Sequence, residues 1–288
     1  MREGRSVCRF AFGTLLALLL ATARFDARAQ EHVSFPSLDG EASAPVVLTG
    51  LWFAAAASPA PVVALFHGCN GIYDRRHELL RRLRAYAALF NDAGYHVLIV
   101  DSLTPRYETE LCTQRYGKRR VTLANRRLDA LGAVAYLAER ADVDPKRIGI
   151  VGWSNGASTV LAATNLHHPD VAAAPARPAF AVAFYPDCEA DLKRGYEPAA
   201  PLLMLVGQAD DWTPAAPCRA LAREADEPKP EIDVYPGAYH AFDDDTPVRI
   251  RKDIPNGVNP GQGVHVGGNA AARHASQLRL LKFLSEHR

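Results

Sequence analysis

The sequence predicts an α/β fold with a mostly parallel central sheet and helices on both faces. Three observations carry that expectation. Short apolar runs rich in Val, Ile and Leu recur along the chain, helix-period segments fall between them, and no internal repeat or long linker breaks the alternation. Strands separated by single helices need crossover connections, which set parallel neighbours into one sheet and cover both its faces. The 288 residues, 48% of them hydrophobic, suffice for one packed domain, expected over residues 30–288.

The first residues stand outside that domain. Arg2, Arg5 and Arg9 precede an apolar run over residues 10–21, and Ala27-Arg28-Ala29 offers small residues at both positions a signal peptidase reads. A secretory signal peptide over residues 1–29 is therefore expected. The apolar run is short for a bilayer span, so no stable membrane insertion is expected after cleavage. Cys8 precedes that run, which disfavours a lipid anchor. The net charge of +1 becomes −2 once residues 1–29, with five Arg and two acids, are removed. So balanced a chain gives no electrostatic reason to bind nucleic acid or an anionic membrane.

Within the domain, strands are predicted over residues 61–66, 96–100, 147–151, 180–184, 202–206 and 232–235. Helices are predicted over 78–91, 121–140, 157–166 and 271–285. Arg75, Arg76, Arg81, Arg82 and Arg84 are expected on the solvent side of the first helix. The Gly-, Pro- and Asn-rich segment 255–268 reads as a long surface loop. The stretch between the strands at 180–184 and 202–206 is too short for a helical cap, so a fairly open cleft is expected.

The strand at 147–151 runs into Gly152-Trp153-Ser154-Asn155-Gly156 and then a small-residue helix. Strand, Gly-x-Ser-x-Gly and helix in that order form a nucleophile elbow, with flanking glycines because a Cβ would clash in so tight a turn. The plain alternative is a turn that opens a helix with Ser154 as its N-cap. In parallel α/β sheets, sites form at the carboxyl ends of strands, so partners of Ser154 are sought at strand exits. The strand at 202–206 exits through Gly207-Gln208-Ala209-Asp210-Asp211. Asp210 is the better acid, because Gly-x-x-Asp suits a turn leaving a strand; the remaining carboxylate is expected to cap the following helix. The last strand exits to His240, between Tyr239 and Ala241-Phe242, where it can serve as general base. His265 is the fallback. The chain order Ser154, Asp210, His240 is that of α/β-hydrolases.

The strand at 61–66 leads into His67-Gly68-Cys69-Asn70-Gly71, a loop that can turn backbone N–H groups toward a developing negative charge. The expected donors are the N–H groups of Cys69 and Asn155, with His67 structural. Tyr73, Tyr107, Trp153, Trp212, Phe242 and the Gly-rich segment 255–268 are candidate cleft walls, Trp153 being equally suited to core packing. Arg106 is either solvated or a binder of a substrate carboxylate, and Asp243-Asp244-Asp245 reads as a solvated acidic run. No Cys-x-x-Cys or His-Glu-x-x-His spacing supports a metal site, and no cofactor is expected.

Taken together, His67-Gly68-Cys69-Asn70-Gly71, Asp101-Ser102, the elbow, residues 210–214 and Pro236-Gly237-Ala238-Tyr239-His240-Ala241-Phe242 resemble the dienelactone hydrolase family. The resemblance implies the α/β-hydrolase fold, with Ser154 as nucleophile, Asp210 as acid and His240 as base. The family's namesake enzymes use a cysteine nucleophile and act on cyclic dienelactones in the cytoplasm. This chain has serine there and an export signal, so a small-molecule carboxylic ester is the better substrate expectation. The family topology also places the loop of Cys69 beside that of Cys112 and the loop of Cys188 beside that of Cys218, which implies those two disulfides in an oxidising compartment. The other readings are a peptidase of the same fold and a catalytically silent binding protein.

Overall fold

The computed structural model describes Met1 and residues 30–41 and 44–287; the expected signal segment, Met1 aside, lies outside the described residues. The chain forms β1 (Gln30–Glu41), β2 (Ala44–Phe53), β3 (Ala60–Phe66), α1 (Arg81–Asp92), β4 (His96–Asp101), α2 (Leu123–Ala138), β5 (Val143–Trp153) and α3 (Asn155–Ala163). It continues through α4 (Pro169–Ala172), β6 (Phe180–Phe184), α5 (Glu189–Arg194), β7 (Leu202–Gly207), α6 (Ala215–Glu224), β8 (Glu231–Tyr235), β9 (Arg249–Arg251), β10 (Val264–Val266) and α7 (Ala270–Glu286).

Eight strands make one sheet in the order β1-β2-β4-β3-β5-β6-β7-β8. From β4 to β8 every neighbouring pair is parallel, while β1–β2 and β2–β4 are antiparallel. The inner parallel strands β3, β4, β6 and β7, and β5 from Ile148, are apolar on both faces because both are covered, whereas edge strand β8 is only partly buried. Val62, Ala64 and Phe66 of β3 join the core under α2, α3 and α6, whereas Val63 and Leu65 join the core under α1 and α7. Helix α2 opens with a capping box in which Thr122 and Asn125 satisfy each other's backbone N–H groups.

Every predicted strand forms, within a few residues of its expected bounds. The N-terminal hairpin β1–β2 is not among the expected strands; it is a half-buried element in which Val33 and Phe35 alternate with exposed residues. Segment 255–268 is not loop throughout: it contains β10, which pairs with β9. Between β6 and β7 the chain builds only the short α5. The cleft is nonetheless walled by segment 102–122, of which Tyr116, Gly117, Arg119 and Thr122 line it. Residues 102–122 and the β9–β10 hairpin meet in a small apolar cluster of Leu103, Leu111, Val121, Ile254, Val264 and Val266, with Trp212 packed against it.

Candidate active site

Strand β5 delivers Ser154 into a sharp turn with φ 55° and ψ −120°. For a residue with a side chain that backbone costs on the order of 1–3 kcal/mol, and close packing holds it there. A Cβ on Gly152 would lie 2.2 Å from the Gly156 carbonyl oxygen, and one on Gly156 would lie 2.1 Å from that of Phe66. Both glycines are therefore required for α3 to start directly over the end of β3. Ser154 makes no side-chain capping bond to α3. Its hydroxyl instead donates to His240 Nε2 at 2.8 Å, which removes the N-cap reading.

The exits of β7 and β8 are laced together: Ala209 N–H donates to the Ala238 carbonyl and Gln208 N–H to that of Tyr235. This brings His240 Nδ1–H to 2.8 Å from Asp210 Oδ2. The Asp210 carboxylate also accepts the N–H groups of Trp212 and Thr213, each at 2.9 Å. The Thr213 hydroxyl lies 3.1 Å from both Asp210 Oδ2 and His240 Nδ1. Asp210 is 4% and His240 2% exposed, so the carboxylate–imidazole contact is shielded from water while Ser154 faces a cavity. Rings of Tyr185 and Trp212 each sit 4.6 Å from the imidazole.

Asp211 does not cap α6, whose N-cap position is Pro214 with no side-chain bond. It accepts from His265 N–H at 2.8 Å and pairs with His265 Nδ1 at 2.7 Å. Adjacent carboxylates thus serve two histidines: Asp210 holds the one that reaches Ser154, and Asp211 fastens the β9–β10 hairpin.

The cavity over Ser154 has a volume of about 330 Å³ and is lined by Cys69, Tyr116, Arg119, Leu123, Asn155, Asp187 and Trp212, among others. Of the wall residues expected from the sequence, Trp212 lines this cavity. Three other candidates are corrected. Arg106 lies away from the cavity, its guanidinium paired with Asp129 and Asp39, each at 2.7 Å, where it ties β1 to α2. Phe242 is fully buried and packs on Tyr185 and Tyr235. Tyr73 lines a separate groove with Gln30, His32 and Glu78. Of the remaining wall candidates, Tyr107 is exposed and Trp153 is core.

Trp153 belongs to a buried network built on Asp243 and Arg82, not on the solvated charges expected there. Its Nε1–H donates to Asp243 at 2.9 Å, the Tyr185 hydroxyl donates to the same carboxylate at 2.7 Å, and Arg82 donates to the Tyr185 hydroxyl at 2.9 Å. Asp243 is thus buried three residues after His240, and it links that loop to the residue before Ser154. A partial signal was available: Arg82 falls one turn before Tyr86, on the buried face of α1. Asp243→Ala is expected to destabilise the fold by about 3–5 kcal/mol, because it leaves Arg82 without its buried counter-charge; chemical denaturation monitored by tryptophan fluorescence checks this.

The two implied disulfides are both formed, Cys69–Cys112 and Cys188–Cys218. Leu111 N–H donates to the Cys69 carbonyl at 2.6 Å, so the loop after β3 is held by a covalent bond and a hydrogen bond at neighbouring residues. Behind that loop, burial and the nearby Arg126 charge push His67 well below the ordinary imidazole value. It stays neutral, accepting from Ser102 N–H at Nε2 and meeting the Gly68 carbonyl with Nδ1–H at 2.6 Å. His67 is structural, as expected.

The parallel sheet, the elbow after β5, and the Ser154–His240–Asp210 hydrogen-bonded chain at the strand ends define the class as α/β-hydrolase fold. Within that class the chain belongs to the dienelactone hydrolase family, whose model matches residues 48–288. A shorter match, 29% identical over 109 residues, joins it to YtaP of Bacillus subtilis (strain 168), a protein named only as a hydrolase; the match covers 34% of this chain and 36% of YtaP. Solved structures share the fold at low identity. The dienelactone hydrolase-like promiscuous phosphotriesterase P91 from metagenomic libraries superposes with TM-score 0.57 at 20% identity, covering 90% of this chain and 99% of P91. Esterase 2 of Thermogutta terrifontis superposes with TM-score 0.58 at 18% identity, covering 89% of this chain and 94% of the esterase.

Proposed function

We propose that this chain is an exported serine hydrolase that cleaves carboxylic esters through an acyl-enzyme intermediate. One observation carries the reading: two successive 2.8 Å contacts join Ser154 to His240 and His240 to Asp210, at the floor of a cavity of about 330 Å³. His240 Nε2 takes the Ser154 hydroxyl proton as Oγ attacks the ester carbonyl. Asp210 fixes the tautomer of the imidazole and stabilises the imidazolium that forms. The tetrahedral oxyanion is held by the N–H groups of Cys69 and Asn155. Its collapse expels the alcohol, which leaves with the proton from His240. Water then attacks the acyl-serine with His240 again as base, and the acid departs as Ser154 regains its proton.

Family membership supports a hydrolase. The reaction of the Thermogutta esterase with tabun and paraoxon supports an attacking group in this fold that accepts phosphorus as well as carbon electrophiles. The two disulfides suit an oxidising compartment, and no described helix is long and apolar enough to cross a membrane. Assay of p-nitrophenyl and alkyl esters beside matched peptide amides tests the reading. Turnover of the esters, with a burst of alcohol equal to enzyme, is expected; turnover of the amides alone would overturn it in favour of a peptidase.

The cavity wall bears on substrate choice. Arg119 stands over the Tyr116 ring, 4.5 Å from its centroid; its Nε–H donates to the Gln114 carbonyl at 3.4 Å, and the Glu110 carboxylate acts on it through space. Burial lowers its pKa from the ordinary arginine value, so an anionic partner in the cavity would relieve an unfavourable placement. Esters bearing a carboxylate on the acyl side are expected to be preferred over neutral ones. Arg119→Ala is expected to erase that preference by a rise in KM of about 10-fold, as for the loss of one charge-assisted hydrogen bond.

A further inference from the structure

Arg126 of α2 is fully buried in the interior of the protein, and among the described residues it makes no salt bridge. Burying a guanidinium costs several kcal/mol unless close partners compensate, so its contacts need a reason. Asp129 and Asp101 favour its charge only through space. Asp129 is engaged by Arg106 and Ser37, while Asp101 accepts the N–H groups of Leu103 and Thr104. Burial draws the Arg126 pKa down to about 10, which still leaves a full positive charge at neutral pH. Its Nε has no hydrogen-bond partner.

Its two remaining nitrogens explain the placement. Nη1 donates to Asn155 Oδ1 at 2.6 Å, and Nη2 donates to the His67 carbonyl at 2.8 Å. Asn155 follows the candidate nucleophile, and His67 opens the loop that carries Cys69. These are the two segments, from different strands, whose N–H groups must converge on one oxygen. Their separation is tightly set elsewhere too: a Cβ on Gly156 would lie 2.5 Å from the His67 carbonyl oxygen.

We propose that Arg126 is the positioning residue of the oxyanion hole, a single guanidinium that clamps its two halves together and sets an unneutralised charge behind both donors. The proposal rests on the ester-hydrolase reading of Ser154. A fixed charge in a dry site interacts little with a neutral carbonyl and strongly with the anion that replaces it. Arg126 therefore acts on the transition state more than on substrate binding. Lysine at this position keeps the charge but lacks the two-pronged geometry.

The test uses p-nitrophenyl acetate turnover and a trifluoromethyl ketone, which adds to the serine as an anionic hemiketal, beside the corresponding neutral alcohol. Arg126→Gln is expected to lower kcat and weaken the ketone by about 10²-fold, the size of losing one oxyanion donor, with KM and alcohol affinity within about threefold. Arg126→Lys is expected to recover part of the loss. Asn155→Ala removes the same contact from the other end and should lose a similar factor, so the comparison survives if Arg126→Gln does not fold. Ketone and alcohol weakened equally, or kcat unchanged in any folded variant, would overturn the clamp. A wild-type protein that neither turns over ester nor binds the ketone would instead overturn the reading of Ser154 itself.

Discussion

Alanine at either Ser154 or His240 is expected to lower ester kcat by about 10⁶-fold, and the double replacement is expected to cost no more than either single one. The non-additivity follows from the geometry. On the proposed mechanism the 2.8 Å Ser154–His240 contact makes the hydroxyl and imidazole one functional unit, so a serine without its base would lose nearly as much as a base without its serine. Asp210→Asn is expected to cost about 10⁴-fold with the fold intact. It retains the acceptor for the Trp212 and Thr213 N–H groups, yet can present an NH₂ to His240 and select the wrong tautomer. Steady-state kinetics on the two singles, the double and Asp210→Asn checks the series, and additive losses for Ser154 and His240 would break the shared-unit account.

The second large effect concerns the disulfides. Cys69–Cys112 closes 43 residues and Cys188–Cys218 closes 30, and each is expected to contribute about 4 kcal/mol of stability by limiting the unfolded chain. Their removal by paired serine replacement should lower stability comparably but activity unequally. The bond at Cys69 lies on the loop of the proposed oxyanion donor, while Cys188 and Cys218 join α5 to α6 beside the cavity. Cys69→Ser/Cys112→Ser keeps the main-chain N–H yet frees the loop, so kcat should fall by about 10-fold or more at temperatures where the protein is still folded, part of the loss expected for a donor. Cys188→Ser/Cys218→Ser should leave kcat close to wild type. Equal kcat in both variants would show that the covalent tie to Cys112 does nothing for the site.

Much of this molecule is legible in its sequence, for a physical reason. Strands β3, β4, β6 and β7, and β5 from Ile148, are buried on both faces, so each reads as a continuous apolar run. Edge strand β8 is only partly buried and reads from Ile232, Val234 and Tyr235. The elbow and the exits at Asp210 and His240 are local signals beside the strands. Hairpin β1–β2 lies at the sheet edge with one face exposed; its alternation of Val33 and Phe35 with polar residues is short and crossed by Pro36. What local reading loses is the destination of long charged side chains. Arg106, Arg82, Arg126 and Asp243 find partners tens of residues away, and nothing in the neighbouring sequence names those partners. A weaker trace exists for Arg126. It lies four and eleven residues before Ala130 and Leu137, on the buried face of α2, and a charge on the apolar stripe of a helix marks a residue held for a purpose other than solubility.

The central claim is that Ser154 is a nucleophile activated by His240. Fluorophosphonate labelling of the purified protein with peptide mapping, run beside His240→Ala, tests it most directly. The account predicts one adduct, on Ser154, in the wild-type protein and none in the variant on the same timescale. A folded wild-type protein that stays unlabelled, or that carries its adduct on another residue, would contradict it.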